Sequence, residues 1–260
     1  MRRLLRRPLK RALRALGYEL RRAQSPWPRD FVQADIDLYR EVGPFTMTTP
    51  EAIHVLAGAV RHVVSNGLPG AIVECGVWKG GSMMTIAKTL LSLGKTDVDL
   101  YLFDTFEGMS EPTEKDIHWS SETARAQLAR EEKEGSLTWA LAPLDEVQQA
   151  MGSVPYPPSK VHFVKGRVED TLPDQAPPQI ALLRLDTDWY ESTRHELIHL
   201  YPRLVPGGVL IVDDYGWWRG AAEATDEYFR ENGPTPFLVR VDADGVRLAV
   251  KPHAAPASSS

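Results

Sequence analysis

Apolar residues in the second quarter of the chain and beyond fall into short runs separated by segments with helical periodicity. The runs are "GAIVECGV", "VDLYLFDTF", "KVHFVKG", "QIALLRLD" and "GGVLIVDDYG". Consecutive apolar positions, rather than alternate ones, are typical of strands buried on both faces of a parallel sheet. Helical patterns lie between the runs, among them "SMMTIAKTLLSLG" and "YESTRHELIHLYPRL". The pattern therefore predicts an α/β fold, in which helices cover both faces of a mostly parallel central sheet.

Other segments set the predicted boundaries of this fold. "FLVRVDADGVRLAV" predicts an antiparallel C-terminal hairpin, because Asp-Gly suits a two-residue turn. Thr49 before a proline predicts the N-cap of a helix that continues through "AIHVLAGAVRHVV". Residues 105–159 form a long polar insertion, with a helix predicted from Ser121 to Glu134, and we expect this insertion to act as a lid. One domain is predicted over residues 30–252, followed by a disordered tail over 253–260.

The first 29 residues differ in charge from the rest of the chain. Residues 1–22 contain nine Arg and Lys residues and one acid, Glu19, whereas the whole chain has a net charge of -5. Leucines recur on one face of this segment, so we expect a basic amphipathic helix that contacts an anionic membrane surface or an acidic partner, or else a solvated extension. A basic extension on an acidic body is not the pattern of a nucleic-acid-binding domain.

Composition restricts the cellular setting. Cys75 is the only cysteine, so an intramolecular disulfide is impossible and a reducing, cytoplasmic location is expected. No apolar run approaches the ~20 residues that span a bilayer. Together with the basic extension, this predicts a cytoplasmic protein, with peripheral contact at the inner face of the membrane as the further option.

A glycine-containing loop, "VECGVWKGGS", connects the first predicted strand to a helix. Gly76 permits a tight turn, while Gly80 and Gly81 allow a ligand to approach backbone donors at the start of the helix. Glu74, just before the first glycine, would repel a pyrophosphate and would suit a ligand with a positively charged amino group. Asp104 ends the second strand, where an acid can bind two ribose hydroxyls. The combination favours a nucleoside-containing cofactor such as S-adenosylmethionine.

Two later strands each end in a pair of aspartates. Asp186 and Asp188 follow one strand, and Asp213 and Asp214 follow the next. Taken alone, Asp188 is better explained as a helix N-cap, with Glu191 completing a capping box. The other three are not, and adjacent parallel strands lie ~4.8 Å apart, so these acids can converge. Converging carboxylates require either a cation or bound protons, and an all-oxygen set suits Mg²⁺.

Five motifs in order make the chain similar to a known family. "IVECGVWKGGS", "LYLFDTFEGM", "GRVEDTLP", "LLRLDTDWYEST" and "IVDDYGWWRGA" resemble the macrocin O-methyltransferases, over about Phe45 to Tyr228. The resemblance implies a Rossmann-like class I methyltransferase of bacterial origin. Such enzymes use S-adenosylmethionine and a divalent metal to methylate sugar hydroxyls of natural products. It also implies a homodimer and a small-molecule or glycan acceptor.

The same resemblance assigns roles to individual residues. It implies that Asp186, Asp213 and Asp214 are the Mg²⁺ ligands and that Asp188 is the general base. It places the cofactor against eight residues: Thr46, Met47, Glu74, Gly76, Gly81, Ser82, Asp104 and Asp170. A metal-dependent glycosyltransferase is the alternative function, since D-x-D after a strand can also hold a metal on a nucleotide sugar. The glycine loop with Glu74 and the second aspartate pair argue against that alternative.

Overall fold

The computed structural model describes residues 26–134 and 140–253, and of residues 131–134 only the backbone. The predicted basic amphipathic helix in residues 1–22 and most of the predicted tail lie outside the described residues. The chain divides into two compact units after Ile36. In the described part of the first unit, a turn precedes the start of helix α1 (Gln33–Val42), and the Asp35 carboxylate accepts a hydrogen bond from the Val32 amide.

A seven-stranded sheet forms the second unit. Its strands are β1 (Ala71–Cys75), β2 (Leu100–Asp104), β3 (Val161–Lys165), β4 (Ile180–Leu185), β5 (Leu204–Val212), β6 (Val239–Arg240) and β7 (Arg247–Val250). They lie in the order β3-β2-β1-β4-β5-β7-β6. The first five are parallel, whereas β7 is antiparallel to both β5 and β6. The predicted α/β fold, the parallel strands and the C-terminal hairpin are therefore confirmed. The predicted two-residue Asp-Gly turn is wrong, because the pairing ends at Val241 and Val246 (2.9 Å) and the Asp242 carboxylate accepts hydrogen bonds from the Gly245 and Val246 amides, which gives a four-residue loop.

Helices connect the strands and cover the sheet. Besides α1, the described residues form the α-helices α2 (Pro50–Ser65), α3 (Gly81–Ser92), α4 (Ala124–Glu134), α5 (Leu144–Gly152), α6 (Val168–Thr171), α7 (Tyr190–Leu200) and α8 (Arg219–Asn232). The Thr49 side chain accepts a hydrogen bond from the Ala52 amide at the start of α2, which confirms the predicted N-cap. None of the helices within residues 26–134 and 140–253 combines the length and apolar character needed to span a membrane.

The hydrophobic core lies on both faces of the sheet. Alternate residues of β1 point to opposite sides, because Ile72 belongs to one buried cluster and Val73 to the other. Helices α2 and α3 pack on the first face, and α7 and α8 on the second. Burial on both sides explains why the strands are apolar at consecutive positions. It also leaves polar side chains at the strand ends, where the order of the strands reverses between β1 and β4.

Within its described residues, the insertion over residues 105–159 contains two α-helices. The predicted helix is present as α4 but begins at Ala124, three residues later than expected. Helix α5 was not predicted, although its buried Val147, Ala150 and Met151 repeat at helical spacing. It packs beside the glycine loop, since a Cβ placed on Gly80 would lie 3.4 Å from a Val147 methyl carbon. One helix of the insertion thus supports the loop that was predicted to bind the cofactor.

Candidate active site

A cavity of about 350 Å³ opens at the carboxyl ends of the parallel strands. Most of the predicted site residues line its wall: Thr46, Met47, Gly76, Ser82, Asp104, Asp186, Asp188, Asp213 and Asp214. Three others, Glu74, Gly81 and Asp170, are not among the lining residues. Asp170 is exposed, and its neighbour Glu169 lines the cavity instead. The structure therefore gathers the cofactor loop and both aspartate pairs around one space.

Two glycines of the loop are required by close contacts between elements. Gly76 has a φ of +80°, and a Cβ there would overlap the backbone oxygen of Asp186. A Cβ on Gly81 would lie 2.7 Å from the carbonyl carbon of Phe45. The absence of side chains thus lets the end of β1 approach the residues after β4, and lets α3 start against the segment that contains Thr46.

Asp104 holds the glycine loop in place. Its Oδ2 accepts hydrogen bonds from the amides of Val77 (2.6 Å) and Trp78 (3.1 Å), and its Oδ1 accepts one from Phe106 (2.7 Å). Burial raises the pKa of Asp104, and these backbone hydrogen bonds oppose the shift. A carboxylate offers about four lone-pair sites, so Asp104 retains acceptor capacity beside the cavity.

Arg184, which is not among the residues that line the cavity, connects Glu74 to two of the aspartates. Its side chain is 2% exposed, and its guanidinium donates hydrogen bonds to Glu74 (2.5 Å), Asp186 (2.6 Å) and Asp213 (2.5 Å). Burial raises the pKa of Glu74 to about 8, although the Arg184 charge opposes the shift. The second Glu74 oxygen is buried without a hydrogen-bond partner among the described residues.

Three aspartates converge at the ends of β4 and β5. The sheet ladder continues into them, because the Asp186 amide bonds to the Cys75 carbonyl (2.8 Å) and the Asp213 amide to that of Leu185 (2.9 Å). Asp186, Asp213 and Asp214 each offer a carboxylate oxygen within 4.8 Å of the others. Burial raises the pKa values of Asp213 and Asp214 well above their usual range. An all-oxygen set of this kind suits a hard divalent cation.

Asp188 lies next to this cluster and does not cap the following helix. Its backbone has a φ of +66°, its amide donates to Asp214 (2.9 Å), and its carboxylate accepts from the Trp218 indole (2.7 Å). The amide of Tyr190, at the start of α7, donates instead to the buried Asp116 of the insertion (2.7 Å). The capping-box interpretation of Asp188 is therefore wrong. Burial raises the pKa of Asp188 to about 7, and nearby Asp186 contributes to that shift.

Aromatic side chains form one wall of the cavity. Trp217 is 43% exposed, Trp218 is buried, and both line the cavity. The His118 ring contacts both indoles edge-on, and Trp189 packs against Trp218 with ring centroids 5.0 Å apart. Trp217 therefore lines the cavity, whereas Trp218 both lines it and packs in a buried cluster with Trp189.

Sequence reasoning missed two buried residues of this site. Arg184 interrupts the apolar strand "IALLRL", and a charged residue inside a buried strand is a signal that requires buried partners. Asp116 gave no comparable signal, because it lies in a polar insertion and its partner, Tyr190, is 74 residues away.

Comparison with known proteins agrees with this arrangement. Residues 31–249 match the family model described as Macrocin-O-methyltransferase (TylF). A Streptomyces olivaceus protein named 8-demethyl-8-(2,3-dimethoxy-alpha-L-rhamnosyl)-tetracenomycin-C 4'-O-methyltransferase is 33% identical over 201 residues, which are 77% of this chain and 74% of the relative. Mycinamicin III 3''-O-methyltransferase of Micromonospora griseorubida is 31% identical over 77% of this chain and 76% of the relative.

Solved structures share the fold. The O-methyltransferase NovP superposes with a TM-score of 0.70 at 27% identity, over 80% of this chain and 83% of that one. The calicheamicin methyltransferase CalS11 has a TM-score of 0.61 at 18% identity, over 89% and 99% of the two chains, and shows the fold alone. These matches give no support to the glycosyltransferase alternative. The chain belongs to the macrocin-O-methyltransferase family and is an S-adenosylmethionine-dependent O-methyltransferase.

Proposed function

We propose that this enzyme moves the methyl group of S-adenosylmethionine to a sugar hydroxyl of a glycosylated natural product or surface glycan, with a divalent cation such as Mg²⁺. One observation carries the proposal. Asp186, Asp213 and Asp214 converge at the ends of two adjacent strands, in the same cavity that the glycine loop lines. A cofactor held by the loop and a hydroxyl held at the aspartates would therefore meet within one space.

The cofactor is proposed to lie along the loop side of the cavity. Support comes from the wall residues Thr46, Met47, Gly76, Ser82 and Asp104. The unpartnered buried oxygen of Glu74 is an acceptor suited to an ammonium group, which S-adenosylmethionine carries at its methionine end. The adenine is proposed to lie near the segment of Asp170, where Glu169 borders the cavity. Gly81 contributes by letting α3 start close to Thr46.

The metal proposal is supported by the donor set. Asp186, Asp213 and Asp214 would hold the ion, since carboxylate oxygens are the ligands that hard divalent cations prefer. A bound divalent cation lowers the pKa of a coordinated hydroxyl.

Asp188 is proposed as the general base. The Trp218 indole fixes one of its oxygens, and a carboxyl pKa of about 7 suits proton abstraction near neutral pH. S-adenosylmethionine, when bound, would supply an electrophilic methyl group and would leave as the neutral thioether S-adenosylhomocysteine. Asp188 would take the proton of the acceptor hydroxyl, whose oxygen would form the new bond to the methyl carbon as the carbon–sulfur bond breaks.

The acceptor is proposed to be a sugar because of the wall beside the aspartates. The exposed indole of Trp217 offers an apolar face against which the C–H face of a sugar ring can pack. The Streptomyces olivaceus relative is named for methylating a rhamnosyl group at the 4' hydroxyl. A rhamnoside is therefore the first acceptor to test.

Calorimetric titration of S-adenosylmethionine into the full-length protein, with Mg²⁺ and with chelator, tests the cofactor site. We expect micromolar binding in both conditions. Incubation with methyl-labelled cofactor and a panel of aryl rhamnosides then tests the acceptor, and transfer should require the divalent cation. Absence of cofactor binding in both conditions would contradict the assignment of the site. Cofactor binding together with metal-independent methyl transfer would contradict only the proposed requirement for a divalent cation.

A further inference from the structure

Arg184 joins three strands through one buried guanidinium. Nη1 donates to Glu74 on β1 and to Asp186 after β4, whereas Nη2 donates to Asp213 after β5 and to the Thr48 hydroxyl (3.0 Å). Glu74 and Arg184 are direct partners in the β1–β4 register. The guanidinium is planar and its donors are rigidly arranged, so it fixes the distance between its carboxylate partners as well as their rotation.

Arg184 bonds to only one carboxylate oxygen of Asp186 and to only one of Asp213. Asp186 accepts through Oδ2 and Asp213 through Oδ1, which leaves the other oxygen of each carboxylate for the proposed cation. Asp214 completes the set of three oxygens within 4.8 Å of one another. Outer partners that orient metal-binding carboxylates in this way commonly change metal affinity 10–100-fold when they are removed.

The number of carboxyl groups around Arg184 indicates that its single positive charge does not take the place of the cation. One guanidinium faces Glu74, Asp186 and Asp213, with Asp214 next to them, so a single positive charge serves four carboxyl groups and the remaining compensation must come from bound protons or from a cation. Buried charges of one sign are costly unless they are paired or bind a cation. A divalent ion supplies charge that Arg184 cannot, in a site whose geometry Arg184 has already set.

We propose that Arg184 is a positioning residue that preorganises Asp186 and Asp213 for the divalent cation. The inference rests on the metal site of the proposed function. It opposes a simple alternative, in which Arg184 is only a competing positive charge. Under that alternative, removal of the guanidinium would strengthen binding of a metal ion. Under the positioning role, its removal weakens binding, because the two carboxylates lose their fixed orientation.

Mn²⁺ binding to the full-length protein separates these alternatives. Free Mn²⁺ is measured by electron paramagnetic resonance for wild type, Arg184→Gln and Arg184→Lys, with S-adenosylhomocysteine affinity measured by calorimetry on the same preparations. We expect at least tenfold weaker Mn²⁺ binding by Arg184→Gln. We expect a smaller loss of Mn²⁺ affinity for Arg184→Lys, because an ammonium restores the positive charge but not the planar arrangement of donors of the guanidinium. Unchanged or tighter Mn²⁺ binding by Arg184→Gln would overturn the positioning role.

A milder variant allows the test even if the Arg184 variants do not fold. Thr48→Val removes one hydrogen-bond partner of Arg184 and changes no charge, so we expect about threefold weaker Mn²⁺ binding. Thr89→Val is its matched control, because this buried hydroxyl bonds within α3 to the Thr85 carbonyl. Equal Mn²⁺ affinities in the two threonine variants would overturn the proposal even if the arginine variants failed to fold.

The same measurements distinguish this inference from the proposed function. Wild-type protein that binds S-adenosylhomocysteine but not Mn²⁺ would overturn both the metal site and the role of Arg184, and would leave the cofactor site intact. Wild-type protein that binds both, with Arg184 variants that keep full Mn²⁺ affinity, would overturn the role of Arg184 alone.

Discussion

The indole nitrogen of Trp218 donates a hydrogen bond of 2.7 Å to Oδ1 of Asp188. The two residues come from separate segments, one after β5 and the other after β4. Trp218 is held in turn by the insertion, through a bridge to His118, and by ring contact with Trp189. The orientation of the proposed base therefore depends on a wall that the insertion and the loop after β5 build together.

Trp218→Phe should reduce kcat at least tenfold, because phenylalanine fills most of the indole volume but leaves Asp188 without its donor. Affinity for S-adenosylmethionine should stay within threefold. Steady-state kinetics with a rhamnoside acceptor and calorimetry of the cofactor measure the two effects. Trp119→Phe is the matched control, since the Trp119 side chain is 51% exposed. An unchanged kcat for Trp218→Phe would show that this hydrogen bond does not orient the base.

Asp186→Asn and Asp188→Asn should separate metal binding from proton removal. Asp186→Asn is expected to abolish metal-dependent turnover and to leave cofactor affinity within a few-fold, because the cofactor is proposed to bind on the loop side. Asp188→Asn should retain Mn²⁺ and lose turnover. Metal titration and single-turnover assays test both variants. An active Asp188→Asn enzyme would transfer the role of base to another residue.

Gly76→Ala should destabilise the fold by at least about 3 kcal/mol more than Gly94→Ala. Both glycines have positive φ, +80° and +69°, so each substitution carries the same kind of backbone strain. A methyl group on Gly76 would overlap the backbone of Asp186, whereas nothing lies within 4 Å of the corresponding position on Gly94. Urea unfolding of the two variants measures the difference. Equal losses would show that β1 can move away from β4 at little cost.

Glu196→Gln should become more stable relative to wild type as pH rises. Glu196 is fully buried on α7; burial raises its pKa well above 4.5, and a hydrogen bond from Thr187 opposes this. Above pH 4.5 the unfolded carboxyl ionises while the folded one stays protonated, so native Glu196 loses stabilising free energy with increasing pH. Glutamine does not titrate.

The expected gain of Glu196→Gln over wild type is up to about 1.4 kcal/mol per pH unit as the pH rises above the unfolded pKa, and it levels off where the folded carboxyl ionises; urea unfolding at several pH values measures it. Glu191→Gln, at an exposed position of the same helix, is the matched control. Parallel stability curves for Glu196→Gln and wild type would show that the folded carboxyl ionises as readily as the unfolded one.

Local pattern was sufficient for the parts of the protein that depend on near neighbours in sequence. Consecutive apolar runs identified the parallel strands, and Thr49 before proline identified the start of α2. The convergence of Asp186 with Asp213 was also predictable, because parallel neighbours end at the same edge of a sheet. The five ordered motifs predicted the family, which the comparisons confirm.

The tertiary structure alone decided which groups hold the site together. Arg184 pairs with Glu74 across 110 residues, and Asp116 rather than Asp188 caps α7 across 74 residues. A sequence pattern shows that residue 188 carries a carboxylate, but it does not show the backbone φ of that residue. Asp188 has a positive φ, and its carboxylate bonds to the Trp218 indole instead of the helix amides. Burial and the geometry of hydrogen bonds arise only when distant segments pack, so the partners of buried charges were decided by the fold.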